Sequence, residues 1–234
     1  MPSVYCRDPH LGQNFFVFVS DDDIWRVNMT QSFYKILKTP EVLPAHRLTT
    51  TSGLISQPKI SPDEKHIAYE STESGERDIY LIPSHGGISE RLTFKGDAKL
   101  CGWADNQNIL VHSGSGEYAS RTLYQISTTG HESAEYKYGF GSYMHQNKYG
   151  TVVGRKLLDL AFWKGYRGGL VGEIWTRPEG SQSFQKILTD SMGNIGQVVY
   201  DDNMIYFISD RDGVGEIYQT DLMGKQVLKI AASK

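Results

Sequence analysis

The chain of 234 residues has little cysteine, no surplus of basic residues and no long apolar run. Its two cysteines, Cys6 and Cys101, are too few and too far apart for a disulfide framework or a zinc knuckle. Free cysteine behaves as a small hydrophobe, so we interpret both as buried thiols in a reducing compartment. This excludes the class of small disulfide-stabilised secreted domains.

Charge and hydropathy exclude two further classes of partner. The 24 Lys and Arg residues are balanced by 27 Asp and Glu residues, so no basic excess indicates nucleic-acid binding. No stretch approaches the roughly 20 apolar residues of a membrane span, and the first residues lack the basic and then apolar pattern of a secretory signal. We therefore expect a cytoplasmic protein without nucleic-acid or membrane partners.

A short signature recurs five times: an acidic or polar residue, an aliphatic residue and then an aromatic residue. The aromatic residues are 43 to 55 residues apart, which is near the roughly 40 to 50 residues of a propeller blade. The copies are Asp23–Trp25, Asp78–Tyr80, Thr122–Tyr124, Glu173–Trp175 and Glu216–Tyr218. The chain is therefore a tandem repeat.

Each signature is preceded by strand-like runs, and a further β-rich run follows it, at 34–39 in the first repeat; the run after Tyr124 is unclear. This pattern predicts an all-β fold, a β-propeller of four-stranded antiparallel blades with five blades in this chain. We expect one domain over residues 1–234, and a β-sandwich is the alternative fold. The blades are expected at about 3–40, 56–95, 97–140, 142–190 and 194–231.

Two stretches resemble known propeller families. Residues 61–93 resemble the TolB-type, WD40-like repeat, which several propeller families share. The run FWKGYRGGLVGEIW at 162–175, with residues 205–225, resembles the first, six-bladed propeller of the tricorn protease family. The likeness extends over essentially the whole chain.

The second resemblance implies a propeller module of a tricorn-like cytosolic serine peptidase that gates or docks oligopeptides. In that family the catalytic residues lie in later domains, so no catalytic residue is expected here. The implied partners are oligopeptides or peptidase domains of the same protein. The alternative is a stand-alone TolB-type propeller that acts as a protein–protein interaction scaffold.

The chain departs from the family in two respects. Five blades are found where the family has six, so a sixth blade was lost, five blades close alone, or the chain is part of a longer protein. An open set of blades would self-associate or borrow a strand, which makes a homo-oligomer a further expectation. The family anchors peptide carboxy termini with an arginine pair, whereas the loop at 92–103 has Lys95 and Lys99.

A search for catalytic or metal-binding patterns gives no candidate. The seven histidines show no His-x-x-x-His spacing, and no Gly-x-Ser-x-Gly elbow is present. Asp210, Asp212 and Glu216 fit a hairpin tip better than a calcium loop. His85–Gly87 fits a turn better than an oxyanion hole. We expect no metal and no cofactor.

The connection that leads to the fourth signature is enlarged and rich in glycine, aromatic residues and cations. Enlarged loops on a rigid scaffold often carry binding surfaces. Trp163 and Tyr166 could stack on a ligand while Lys164 and Arg167 meet carboxylates. The alternative is that the loop packs against a neighbouring blade or domain. These four residues form the candidate peptide-binding or docking loop.

Overall fold

The computed structural model describes residues 5–29, 43–113, 122–157, 159–188 and 192–231. Within these ranges lie five four-stranded antiparallel sheets, each built from four strands that are consecutive in sequence. The prediction of an all-β propeller with five four-stranded blades in this chain is confirmed. None of the helices within these ranges is long and apolar enough to cross a membrane.

The strands follow one another as meanders. The first sheet comprises β1 (Cys6–Leu11), β2 (Phe15–Ser20), β3 (Asp23–Asn28) and β4 (Ala45–Arg47), and the second comprises β5 (Ile55–Ile60), β6 (His66–Ser71), β7 (Asp78–Pro83) and β8 (Glu90–Arg91). The third comprises β9 (Ala98–Trp103), β10 (Asn108–Ser113), β11 (Leu123–Ser127) and β12 (Glu132–Tyr136). The fourth comprises β13 (Tyr143–Asn147), β14 (Gly150–Arg155), β15 (Glu173–Pro178) and β16 (Gln185–Ile187), with the short helix α1 (Leu160–Trp163) before β15. The fifth comprises β17 (Ile195–Asp201), β18 (Met204–Ser209), β19 (Glu216–Asp221) and β20 (Leu228–Ala231).

Two details differ from the sequence-based expectations. The predicted strand at 34–39 lies outside the described residues, and the strand that pairs with β3 is β4, so the first sheet extends beyond residue 40. Cys6, the first residue of β1, is exposed rather than buried, whereas Cys101 on β9 is buried; both are free thiols. The fourth strand of the third sheet, which no sequence pattern indicated, is β12.

The residues cluster into two compact units, one made of 1–115 with 124–134 and the other of 116–123 with 135–234. In the first unit, Phe15, Val17 and Ile24 pack against Ile67 and Tyr69 of the second sheet. A further core joins the second and third sheets. In the other unit, one core joins the fourth and fifth sheets.

A buried carboxylate at the start of the third strand holds the fourth strand in the first two sheets. Asp78 accepts hydrogen bonds from Arg91 Nη2 at 2.6 Å and from Thr93 Oγ1 at 2.6 Å. The Thr93 hydroxyl also accepts the backbone N–H of Ile79 at 2.9 Å. The first sheet repeats this arrangement: Asp23 accepts hydrogen bonds from Arg47 and Thr49, and the Thr49 hydroxyl accepts the backbone N–H of Ile24. The acidic residue of the signature is thus a structural anchor.

In the fourth and fifth sheets a glutamate takes the place of the aspartate, and a lysine takes the place of the arginine. Glu173 Oε1 lies 3.6 Å from Lys186 Nζ, and Glu216 Oε2 lies 2.6 Å from Lys229 Nζ. In all four sheets the cation stands opposite the aromatic residue of the signature, as Trp25–Arg47, Tyr80–Arg91, Trp175–Lys186 and Tyr218–Lys229. We call this carboxylate–cation pair the strand clasp. In the third signature Thr122 takes the place of the acid.

Removing the buried carboxylate of one clasp tests its contribution to stability. We expect Asp78→Ala to lower the free energy of unfolding by about 2–4 kcal/mol, because it leaves the Thr93 hydroxyl and a half-buried guanidinium without their acceptor. Urea denaturation measures this change. Glu90→Ala, an exposed carboxylate beside Arg91, is the matched control and should change stability by less than about 0.5 kcal/mol. Equal losses in both variants would contradict a structural clasp.

A buried tyrosine predicts a loss of stability at alkaline pH. Tyr69 is fully buried and donates its hydroxyl to Ser89 Oγ at 2.7 Å. Burial raises its pKa to about 12, against about 10 in the unfolded chain. The unfolded state therefore releases this proton first, and the stability that neutral Tyr69 contributes is lost as pH rises from about 10 to 12. In urea denaturation over this range, Tyr69→Phe should show a shallower decline than the wild type, while exposed Tyr5→Phe should not.

Candidate functional site

The candidate loop connects β14 and β15, whose ends are held together by the pairing of Arg155 with Glu173. It contains the single turn of α1, and it is longer than the β18–β19 connection at 210–215. A paired strand at each end makes the base of this loop rigid. Its position in the fold is therefore set by the fourth sheet.

Arg167 attaches the middle of the loop to the fifth sheet. Its Nη1 donates to Asp210 Oδ1 at 2.9 Å, and its Nη2 donates to the Asp210 carbonyl at 3.1 Å. Asp210 is fully buried directly after β18, and it also accepts the N–H groups of Gly165 at 2.7 Å and Asn194 at 2.8 Å. Three donors satisfy this carboxylate, so Arg167 serves the loop's own structure. We call this contact the loop latch.

Asn194 supplies a second attachment beside the latch. Its Oδ1 accepts the N–H of Gly172 at 2.9 Å, and its Nδ2 donates to the Trp163 carbonyl at 3.3 Å. Gly172 passes so close to the fifth sheet that an added Cβ would lie 2.0 Å from the Ile195 carbonyl oxygen. Only glycine fits there, which explains one of the loop's glycines by packing.

The other three candidate residues, Trp163, Lys164 and Tyr166, differ in how far their side chains are exposed to solvent. Trp163 and Tyr166 pack edge to face with ring centroids 5.1 Å apart, and the Tyr166 hydroxyl accepts the Leu170 N–H at 3.4 Å. Trp163 nevertheless remains 37% exposed, Phe162 is 86% exposed, and Lys164 is exposed. The loop thus presents Phe162, Trp163 and Lys164 to solvent, together with part of Arg167, whose side chain is 45% exposed.

Glu173 lies at the base of the loop, where its carboxylate pairs with Lys156 and Lys186. It accepts from Lys156 Nζ at 3.1 Å and from Trp175 Nε1 at 2.9 Å. Although burial favours the neutral acid, these hydrogen bonds and the nearby Lys186 hold the pKa of Glu173 below its usual value. Glu173 is therefore ionised at neutral pH and balances the charge of Lys156.

The remaining sequence candidates lie elsewhere in the fold. Asp212 and Glu216 surround Lys229 and the Tyr218 hydroxyl, apart from the latch carboxylate Asp210. Gly86 and Gly87 have φ of 88° and 135° in the β7–β8 turn. Across the described ranges, no three His, Cys, Asp or Glu side chains are placed to hold a metal ion.

Sequence reasoning missed Asp210 and Asn194 as partners of the loop. Their distance in sequence from Arg167 gave no signal, and Asp210 was considered only as part of a hairpin tip.

A separate cleft of about 360 Å³ lies among the turns at the other end of the fourth and fifth sheets. Its lining includes Lys148, Tyr149 and Glu179 but no residue of the candidate loop.

Comparison with known proteins relates the whole chain to one family. The sequence model of the tricorn protease N-terminal beta propeller domain matches residues 3–234. The Tricorn protease homolog of Saccharolobus solfataricus is 28% identical over 233 residues, which cover 95% of this chain and 20% of that protein. This chain thus spans about one fifth of that relative.

A shorter relative and a solved structure agree with this match. The Putative Tricorn-like protease N-terminal subunit of Sulfurisphaera tokodaii is 31% identical over 180 residues, covering 73% of this chain and 85% of that protein. The crystal structure of the tricorn protease superposes with a TM-score of 0.82 at 25% identity, covering 98% of this chain and 22% of that chain.

Breaking the latch tests what positions the loop. We expect Arg167→Ala to lower the free energy of unfolding by about 1–2 kcal/mol, because the buried Asp210 loses a charged donor while the guanidinium was already half exposed. Lys164→Ala changes an exposed lysine three residues before Arg167 in the same loop, and it should change the free energy of unfolding by less than about 0.5 kcal/mol. Urea denaturation compares the two. Equal stabilities of the two variants would mean that the latch does not hold the loop.

Proposed function

This chain belongs to the tricorn protease N-terminal β-propeller family, and on that premise we propose that it is a non-catalytic module that binds oligopeptides for a tricorn-type peptidase. Family membership confirms the resemblance carried by residues 162–175. We assign peptide hydrolysis to the part of such a peptidase that lies outside the segment matched by this chain. The proposed setting is the cytoplasm, where short peptides are available.

The observation that carries the proposal is the division of roles within the loop. Arg167 is half exposed, but its guanidinium is paired with Asp210, whereas Lys164, Trp163 and Phe162 face solvent on an anchored loop. A peptide carboxylate can accept a charge-assisted hydrogen bond from Lys164, and an apolar peptide side chain can pack on the two aromatic rings. Because the latch holds the loop in place, less ordering entropy is lost on binding.

The loop lacks the side chains that peptidases most often use as nucleophile and base. Between Phe162 and Trp175 the sequence contains no serine, threonine, cysteine or histidine. A Ser–His or Cys–His pair would have to come from outside this loop. We therefore propose that the loop retains or passes on peptides whose hydrolysis occurs elsewhere.

Lys164 and the peptide carboxylate can be tested as a pair. The probe is a labelled hexapeptide ending in phenylalanine, with either a free or an amidated carboxy terminus, and binding is measured by fluorescence anisotropy. We expect Lys164→Ala to weaken binding of the free-acid peptide about 10-fold, the equivalent of about 1.4 kcal/mol. Amidation should weaken binding to the wild type equally and should have no further effect on the variant.

Lys225→Ala, an exposed lysine in the turn before β20, is the matched control and should bind like the wild type. Absence of binding to either peptide, or equal losses in both lysine variants, would reject the loop as the peptide site. Cleavage of the hexapeptide by the isolated chain would reject a non-catalytic role.

A further inference from the structure

The cleft that lies opposite the candidate loop is formed by turns of the fourth and fifth sheets. The turns before β14 and β16 provide Lys148, Tyr149 and Glu179, and the turns before β18 and β20 provide Asn203 and Leu222. All five residues belong to the same compact unit. The volume of about 360 Å³ is near the lower limit of small-molecule sites, which measure about 300–1,000 Å³. The cleft therefore suits a ligand of amino-acid size better than a long peptide.

Hydrogen bonds between the two sheets fix the walls of this cleft. Asn147 Nδ2 donates to the Asp202 carbonyl at 2.7 Å, which joins the end of β13 to the turn that follows β17. The buried hydroxyl of Thr176 on β15 donates to the Leu222 carbonyl at 2.8 Å. A ligand would thus meet walls that are already in place, so little ordering entropy is lost on binding.

The cleft offers one carboxylate and one ammonium group to a ligand. Glu179 and Lys148 are exposed, and within the described residues neither side chain forms an ion pair with the other or with a third residue. Lys148 Nζ lies 4.8 Å from the centre of the Tyr149 ring. The second carboxylate of the lining, Asp221, is used by its own turn, because its Oδ1 accepts two N–H groups of the β19–β20 connection at 2.9 and 3.1 Å.

The two charges and the apolar part of the lining define the chemistry of the ligand. A ligand with a positive charge alone is repelled by Lys148, and one with a negative charge alone is repelled by Glu179. A zwitterion can form a charge-assisted hydrogen bond with each of them. Tyr149 and Pro178 also line the cleft and offer apolar surface to a side chain of the ligand.

We propose that this cleft binds a free amino acid with an apolar side chain. The ammonium group of the ligand pairs with Glu179, its carboxylate pairs with Lys148, and its side chain packs against Tyr149 and Pro178. The assignment rests on the cleft alone and is independent of peptide binding at the candidate loop. The loop needs only a carboxylate and an apolar side chain, whereas the cleft also needs the ammonium group, and this difference separates the two sites.

Equilibrium dialysis of the chain against radiolabelled L-phenylalanine at neutral pH tests the site, with unlabelled derivatives as competitors. We expect one saturable site per chain. N-acetylphenylalanine lacks the ammonium group, and phenylalanine amide lacks the carboxylate. Each derivative should compete at least 10-fold more weakly than phenylalanine, because each loses one charge-assisted hydrogen bond.

Variants of the two charged residues locate the site. Glu179→Gln and Lys148→Gln should each weaken binding of phenylalanine at least 10-fold, because each removes one charge and keeps a polar side chain. Neither residue has an ion-pair partner in the described part of the chain, so both variants should fold, which circular dichroism checks. The matched controls Glu90→Gln and Lys137→Gln change exposed residues outside the cleft and should bind like the wild type.

Three results would overturn the proposal. The first is a wild-type chain without saturable binding of phenylalanine, and the second is an equal loss of binding in the cleft variants and the controls. The third is binding of N-acetylphenylalanine that equals binding of phenylalanine and persists in both cleft variants, since this would indicate a site that recognises the carboxylate alone. The anisotropy measurement at the candidate loop is unaffected by any of these results, so failure of this proposal is distinguishable from failure of the proposed function.

Discussion

The strand clasp is the interaction on which four of the five sheets depend. The fourth strands β4, β8 and β16 have three, two and three residues, too few for backbone hydrogen bonds alone to hold them. A carboxylate buried at the start of the third strand compensates by binding a cation and, in the first two sheets, a threonine of the outermost segment. A buried carboxylate is stable only when its acceptors are filled, so the clasp also specifies which segment may pair there.

The loop latch uses the same chemistry between two neighbouring sheets. Asp210 is as deeply buried as Asp78, but its arginine comes from the enlarged loop of the fourth sheet. The latch occupies Arg167 and leaves Lys164 and Trp163 toward solvent. A single carboxylate thus decides which cation of the loop is structural and which is available to a ligand.

The fifth sheet joins the anchored loop to the core of the fourth sheet. Val198, Phe207 and Tyr218 pack on the fourth sheet, and the segment after β18 provides Asp210. Membership of the tricorn protease propeller family and coverage of about one fifth of a longer relative agree with a module that acts together with further domains.

The sequence by itself determined the class of fold, the five repeats and the family, because the signature, strand alternation and the run at 162–175 are local patterns. It also marked Trp163, Lys164, Tyr166 and Arg167 as one loop. It could not place β4, since a three-residue strand has no pattern of its own, nor show that Arg167 is bound to Asp210, 43 residues away. Only the tertiary structure decided these contacts. Burial of a carboxylate or an isoleucine depends on which sheets come together, and the identity of a residue does not encode its neighbours.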